Sequence, residues 1–297
     1  MRRKLVATLA ATALASGLMT ACSSEQTHGD KPLVLTTFTI LADMAQHVAG
    51  DAVDVRSITA PGAEIHGYDP TPSDMAAASD ADLVLSNGLG LEHWLDKLLT
   101  HSTANRVVAT DGIEPISIEN TNTPNPHAWM SPALAKVYVD NIINALARLQ
   151  PESAETFRSN GEHYKQQLEE VDHQLNEGLS SLPENKRTLV TCEGAFSYLT
   201  REAHMHEGYI WPVNSNKEIT PSQIRNAAAF TTRYQVPAVF CESTVEPGPH
   251  EQLMRETGAA DGGTLYVDSL SAPDGPVPTF LDLISYDVNT IVDGLKK

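Results

Sequence analysis

The stretch PESAETFRSNGEHYKQQLEEVDHQLNEGLSSL, residues 151–182, decides how the rest of the chain can be arranged. Ala154, Phe157, Gly161, Tyr164, Leu168, Val171, Leu175 and Leu179 recur at steps of three and four, which places them on one stripe of a helix. Glu, Gln, His and Lys fill the opposite face. Pro151 suits the first helical position, where its missing N–H is not needed, and Pro183 marks the stop. A helix over 153–179 would run ~40 Å, the width of a small domain. It packs, and it also serves as a spine between the two halves of the chain.

Outward from the spine, the same order of elements occurs twice. Before it, strand runs at LVLTTF (33–38), VDVRSI (53–58), ADLVLSNG (81–88) and RVVAT (106–110) alternate with helical runs from Ile40, from TPSDM (71–75, with Ser73 as N-cap), over LEHWLDKLL (91–99) and from Ser131-Pro132. After it, strands at RTLVT (187–191), EGYIWP (207–212), PAVFCES (237–243) and TLYVDSL (264–270) alternate with helices at AFSYLTREA (195–203), from ITPSQI (219–224), at HEQLMRETG (250–258) and at FLDLISYDVNTIVDGL (280–295). The TPS helix starts at Thr71 and Thr220 hold matching places. Alternation of this kind means parallel sheets flanked by helices. The expected fold is therefore α/β with two lobes, each a four-stranded parallel sheet, joined by one long rigid helix. The lobes span 31–150 and 183–297, and a ligand would sit beyond the carboxyl ends of the strands.

Residues 1–21 read as a secretory signal: Arg2, Arg3 and Lys4, the apolar run Leu5–Met19, then Thr20-Ala21 before Cys22. The run is too short to span a membrane. Cys22 after the small pair resembles the lipidated first residue of a bacterial lipoprotein, and polar residues 22–30 read as a tether. The chain has 38 acidic against 20 basic residues, and removing the signal makes the balance more negative still. Such a surface argues against nucleic acid and anionic lipid as partners and suits attraction of cations. Cys192 and Cys241 each end a similar apolar run; as neighbours in an oxidising compartment they form either a disulfide or two buried thiols, which the sequence leaves open.

Four ionisable residues follow strands at corresponding places, two in each half: His66, His127, Glu193 and Asp268. Two imidazoles and two carboxylates suit a divalent first-row metal, six-coordinate if both carboxylates bind through two oxygens. Taken singly, each is as readily a helix cap or a solvated loop residue, so spacing alone leaves both readings open. Glu242, at the next strand end, is a candidate supporting residue; Trp129 and Trp211 are candidates to wall the cleft. His204 and His206 are a weaker surface pair, and His28, His47, His163, His173 and His250 read as surface residues.

The words around the four residues add to this. PGAEIHGYDPTPSD (61–74), SNGLGLEHW (86–94), NPHAWMSP (125–132), TCEGAFSYL (191–199), GYIWPVN (208–214), VFCEST (239–244) and LYVDSLS (265–271) together resemble the cluster A-I (cluster 9) metal-binding solute-binding proteins of ABC importers, nearest to the manganese/iron branch. The resemblance runs from about Leu33 to the C-terminus. It implies a bilobed fold with a rigid linking helix, no enzymatic activity, and metal ligands falling on His66, His127, Glu193 and Asp268. It further implies a monomeric receptor, lipid-anchored through Cys22 on the outer face of the cell membrane, that hands Mn²⁺ or Fe²⁺ to a membrane permease. Zinc is the alternative cargo. The segment 67–126 holds only His93 and His101 where zinc members carry a His-rich loop, and Glu193 stands where those members have a histidine or an open position. Two readings from other classes remain: a metalloenzyme with an open two-His-carboxylate triad, against which the fourth ligand counts, and a surface adhesin.

Overall fold

The computed structural model describes residues 31–214 and 219–297. The signal segment 1–21, Cys22, the tether and His28 lie outside them. The first lobe is a parallel sheet of β1 (Leu33–Thr36), β2 (Asp54–Ser57), β3 (Leu83–Ser86) and β4 (Asn105–Val108), in the order β2-β1-β3-β4. Helices α1 (Thr39–Ala49), α2 (Pro72–Asp80) and α3 (Leu95–Leu98) connect the strands, and α4 (Pro132–Leu149) returns to the spine. α2 is capped by Thr71 rather than Ser73: Thr71 accepts the Asp74 N–H while the Asp74 carboxylate takes the Thr71 N–H. α3 is shorter than the run 91–99, because Glu92 turns inward to accept the N–H groups of Asn87 and Gly88 and holds the preceding residues in a turn.

The second lobe has β5 (Thr188–Glu193), α6 (Ser197–Glu202), β6 (His206–Trp211), α7 (Pro221–Tyr234), β7 (Ala238–Glu242), α8 (Gly248–Thr257), β8 (Ala260–Leu265) and α9 (Phe280–Leu295). Its strands form two parallel pairs, β5-β6 and β7-β8, with β5 and β7 side by side. Cys192 and Cys241 are disulfide-bonded across that junction, which resolves the alternative the sequence left open. Beside the bridge, the Glu242 carboxylate accepts the Glu193 N–H. The strand expected at 264–270 lies earlier. β8 opens with Ala260-Asp261-Gly262-Gly263, where the ring of Phe240 lies against Gly262 and leaves no room for a Cβ. Glycines and an aspartate hid the strand, and Asp268 consequently lies in the loop beyond it.

The spine is α5 (Ala154–Ser180), entered through one 3₁₀ turn at Pro151–Ser153. Phe157, Gly161, Tyr164, Leu168, Val171, Leu175 and Leu179 are buried, as the periodicity requires. α5 packs on α1 and α4 of the first lobe and on α9 of the second, and one hydrophobic cluster runs through both, from Val34 to Leu295. No helix among the described residues is long and apolar enough to cross a membrane. His250 is buried, not on the surface, with Nε2 on the Val239 carbonyl.

Candidate metal centre

All four residues of the quartet meet where the lobes face each other. His66 stands on the loop after β2, and His127 opens a 3₁₀ turn (Ala128–Met130) before α4. Glu193 ends β5, and Asp268 comes shortly after β8. One ligand atom from each falls within 4.8 Å of the others. Nε2 of His66 is 3.1 Å from Nε2 of His127, 3.5 Å from Glu193 Oε1 and 3.5 Å from Asp268 Oδ1. Nε2 of His127 is 3.4 Å from Glu193 Oε1 and 3.8 Å from Asp268 Oδ1. Edges of this length are what four donors about 2.1 Å from one centre would present. His127, Glu193 and Asp268 are fully buried, and Glu193 Oε2 and Asp268 Oδ1 have no hydrogen-bond partner. Buried carboxylate oxygens left bare are costly unless something cationic completes them.

Local structure aims these groups. Two of the four loops share a device: an acceptor two residues before the histidine takes its backbone N–H. Glu64 holds the His66 N–H at 2.7 Å and the Gly67 N–H at 2.9 Å. Asn125 Oδ1 accepts the His127 N–H at 3.0 Å and bonds its Nδ1 at 2.8 Å. An amide oxygen is only an acceptor, so Nδ1 of His127 carries the proton and Nε2 is bare toward the centre. The Asn125 amide reaches across the lobe boundary to the Gly194 carbonyl at 2.6 Å. On the other side, Asn214 donates its N–H to Glu193 Oε1 and its amide to Asp268 Oδ2, while taking the Trp211 indole N–H.

The charges are uneven. Burial opposes a charge on His66, but Asp268, then Glu193 and Glu64, outweigh it and raise its pKa to about 9. Burial, and next the neighbouring His66, press His127 down to about 3. Burial and the Asp268 charge push Glu193 well above the usual carboxylate range. Asp268 is buried too, yet the His66 charge holds it below that range. Without metal the site therefore stores protons on His66 and Glu193.

Of the other residues singled out in the sequence, Glu242 lies under Glu193, with burial raising its pKa. Trp129 is wholly buried behind His127 and donates to the Val267 carbonyl of the other lobe at 3.0 Å. Trp211 does line the cleft, an opening of about 1020 Å³ that reaches only His66 of the four. His204 and His206 gain no third ligand among the described residues, and the His206 ring packs on Tyr234 instead. Sequence reasoning missed Asn125, Asn214 and Glu64. A polar acceptor two residues before each histidine was the available signal for two of them.

Residues 34–294 match the family model described as zinc-uptake complex component A, periplasmic. The chain belongs to this family. Its relatives include the iron-binding protein YfeA of Yersinia pestis, 44% identical over 95% of this chain and 93% of that one. The manganese ABC transporter substrate-binding lipoprotein PsaA of Streptococcus anginosus is 30% identical over 99% of this chain and 100% of that one. Among solved structures, the Mn-bound periplasmic metal-binding protein of Candidatus Liberibacter asiaticus superposes with a TM-score of 0.85 at 38% identity, covering 89% of this chain and 100% of its own. The periplasmic zinc-binding protein TroA of Treponema pallidum gives 0.83 at 27%, covering 89% and 99%. The fold with its linking helix is thus that of a metal-binding, substrate-binding component of an ABC uptake system. Family members of this kind are receptors and not enzymes, which removes the metalloenzyme reading.

Proposed function

We propose that this protein captures Mn²⁺ or Fe²⁺ through His66, His127, Glu193 and Asp268 and delivers it to a membrane permease, while anchored outside the cell by a lipid on Cys22. The observation that carries the metal assignment is the convergence of Glu193 Oε1 and the bare, buried Asp268 Oδ1 with two imidazole nitrogens, one of which has its tautomer fixed for ligation. Two carboxylates able to bind through both oxygens allow six ligands, which suits manganese and iron. YfeA and PsaA are named for iron and manganese respectively.

Zinc needs only four ligands and binds such a set at least as tightly, so affinity does not identify the cargo. The test is elemental analysis of protein purified from cells grown with manganese and iron replete and zinc withheld, beside a His127→Ala variant. Manganese or iron near one per chain, lost in the variant, is the expected result. Metal retained by the variant would overturn the ligand assignment, and zinc alone would overturn the cargo. A Cys22→Ala protein should leave the membrane fraction with its metal binding intact.

A further inference from the structure

Behind the metal centre a half-buried acid is wired to it. Glu207 sits on β6, and Ser197 Oγ donates to its Oε2 at 2.6 Å. Ser197 Oγ in turn lies 3.3 Å from the Asn125 amide nitrogen, and Asn125 Oδ1 holds Nδ1 of His127. The other Glu207 oxygen, Oε1, is buried without a partner. Nothing in the fold requires an acid here: β6 pairs with β5 through its backbone, with Glu207 opposite Leu189. We propose that Glu207 is a positioning residue for the metal centre, acting through Ser197 and Asn125 on His127, so that metal is held more tightly when its carboxylate is bare than when it carries a proton. The proposal rests on His127 being a ligand.

The hydroxyl of Ser197 has two places to point. With Glu207 ionised it donates to the carboxylate, and its lone pair accepts the Asn125 amide N–H. Each bond polarises the next, which leaves Asn125 Oδ1 a stronger acceptor and Nε2 of His127 a better donor to metal. With Glu207 protonated, the acid donates to Ser197 Oγ. The hydroxyl then turns to the Gly194 carbonyl, 3.4 Å away, where it competes with the Asn125 amide already there. Burial raises Glu207 to about 7 against the bonds from Ser197 and the Phe196 N–H, so the change of state falls near neutrality. The ionisable neighbours on its own strand are His206, whose ring packs on Tyr234, and Tyr209, which burial and then Glu119 hold up at about 12 and which stays neutral throughout. Glu119 lies beyond Tyr209 on the loop 111–126.

Calorimetric titration with Mn²⁺ from about pH 6 to pH 8.5 tests this on wild type, Glu207→Gln, Ser197→Ala and the double variant. Both single variants should bind about tenfold more weakly at the alkaline end, the lower bound for loss of such supporting bonds. The deficit should close toward pH 6, where wild-type Glu207 is itself protonated, and the double variant should be no worse than either single one. A deficit constant across pH, losses that multiply, or no deficit would each overturn the proposal. If Glu207→Gln fails to fold, Ser197→Ala must by itself show the pH-dependent deficit. A His127→Ala control that binds Mn²⁺ like wild type would instead overturn the ligand assignment, whatever the Glu207 result.

Discussion

At the scale of single residues, the four-residue centre holds protons that a divalent ion bound there, as proposed, would have to displace. His66 keeps its proton to about pH 9 and Glu193 is raised well above its ordinary value, whereas ligation needs both bare. An incoming ion with two charges that displaces two protons leaves the buried charge unchanged, which avoids the cost of a net buried charge. Mn²⁺ binding near neutral pH should therefore release close to two protons, measurable by calorimetry in buffers of different ionisation enthalpy. Release of none would show that the unfilled site is not protonated as argued. The same shifts fix a sign for the metal-free fold. Both folded-state values are raised, so their stabilisation is present at low pH and is lost as pH rises through the folded values. For His66 that window runs from 6.5 to about 9. The melting temperature of metal-free protein should fall across it. Replacing Asp268 or Glu193 by Ala should weaken Mn²⁺ more than Zn²⁺, because zinc retains a tetrahedral site with fewer oxygens; equal losses in titration would argue against six-coordinate cargo.

At the scale of elements, periodicity and caps made most of the fold legible in the sequence. The α5 stripe, the TPS helix starts and the closing helix 280–295 all come from local pattern, because burial on one face leaves a 3.6-residue signature. β8 was misplaced because a strand of Ala, Asp and two glycines has no such signature; it is held by pairing with β7, and Gly262 is small there because the Phe240 ring lies where a Cβ would be. The four candidate ligands were legible through strand ends and motif words, while Asn125 bonds across the lobe boundary to Gly194 and Asn214 ties Glu193 to Asp268 within the second lobe, contacts between distant segments that no local pattern records. Glycines on α5 make a related point. Gly161 meets Ile143 of α4, and Gly178 meets Val292 of α9, each where a Cβ would collide. Gly→Ala in an open helix gains about 1 kcal/mol, but overpacking costs about 1–3 kcal/mol. Gly161→Ala should thus lower the melting temperature; a rise would mean that α4 can retreat freely. Opening the Cys192–Cys241 bridge by double Ala substitution should cost up to about 4 kcal/mol in denaturant unfolding, since it closes a loop of 49 residues.

At the scale of the whole molecule, the question is how far the lobes move when metal binds. A helix is a poor hinge, because bending it breaks backbone hydrogen bonds, and α5 is clamped along its length by α1, α4 and α9. The lobes are also tied to each other directly. Trp129 donates to Val267, Asn125 to Gly194 and the Tyr198 hydroxyl to Asn125. The Leu270 N–H reaches Thr39, the Gly62 N–H reaches Ser269, and the Phe280 N–H reaches Asp43. Rotating one lobe on the other would break most of these bonds at once and open the shared core. A local shift of the loop bearing His66 would disturb only the Gly62–Ser269 bond among them, whereas the loop bearing Asp268 is itself held by three, at Val267, Ser269 and Leu270. His66, the one residue of the quartet that lines the cleft, is the natural place for entry and exit. Binding should therefore raise thermal stability without changing overall shape. Metal at 100 times its dissociation constant adds about 2.7 kcal/mol to the folded state. Small-angle scattering of metal-free and Mn²⁺-loaded protein should give superimposable profiles, alongside a clear rise in melting temperature. A substantial fall in radius of gyration on adding Mn²⁺ would mean that the spine and its ties do not hold the lobes.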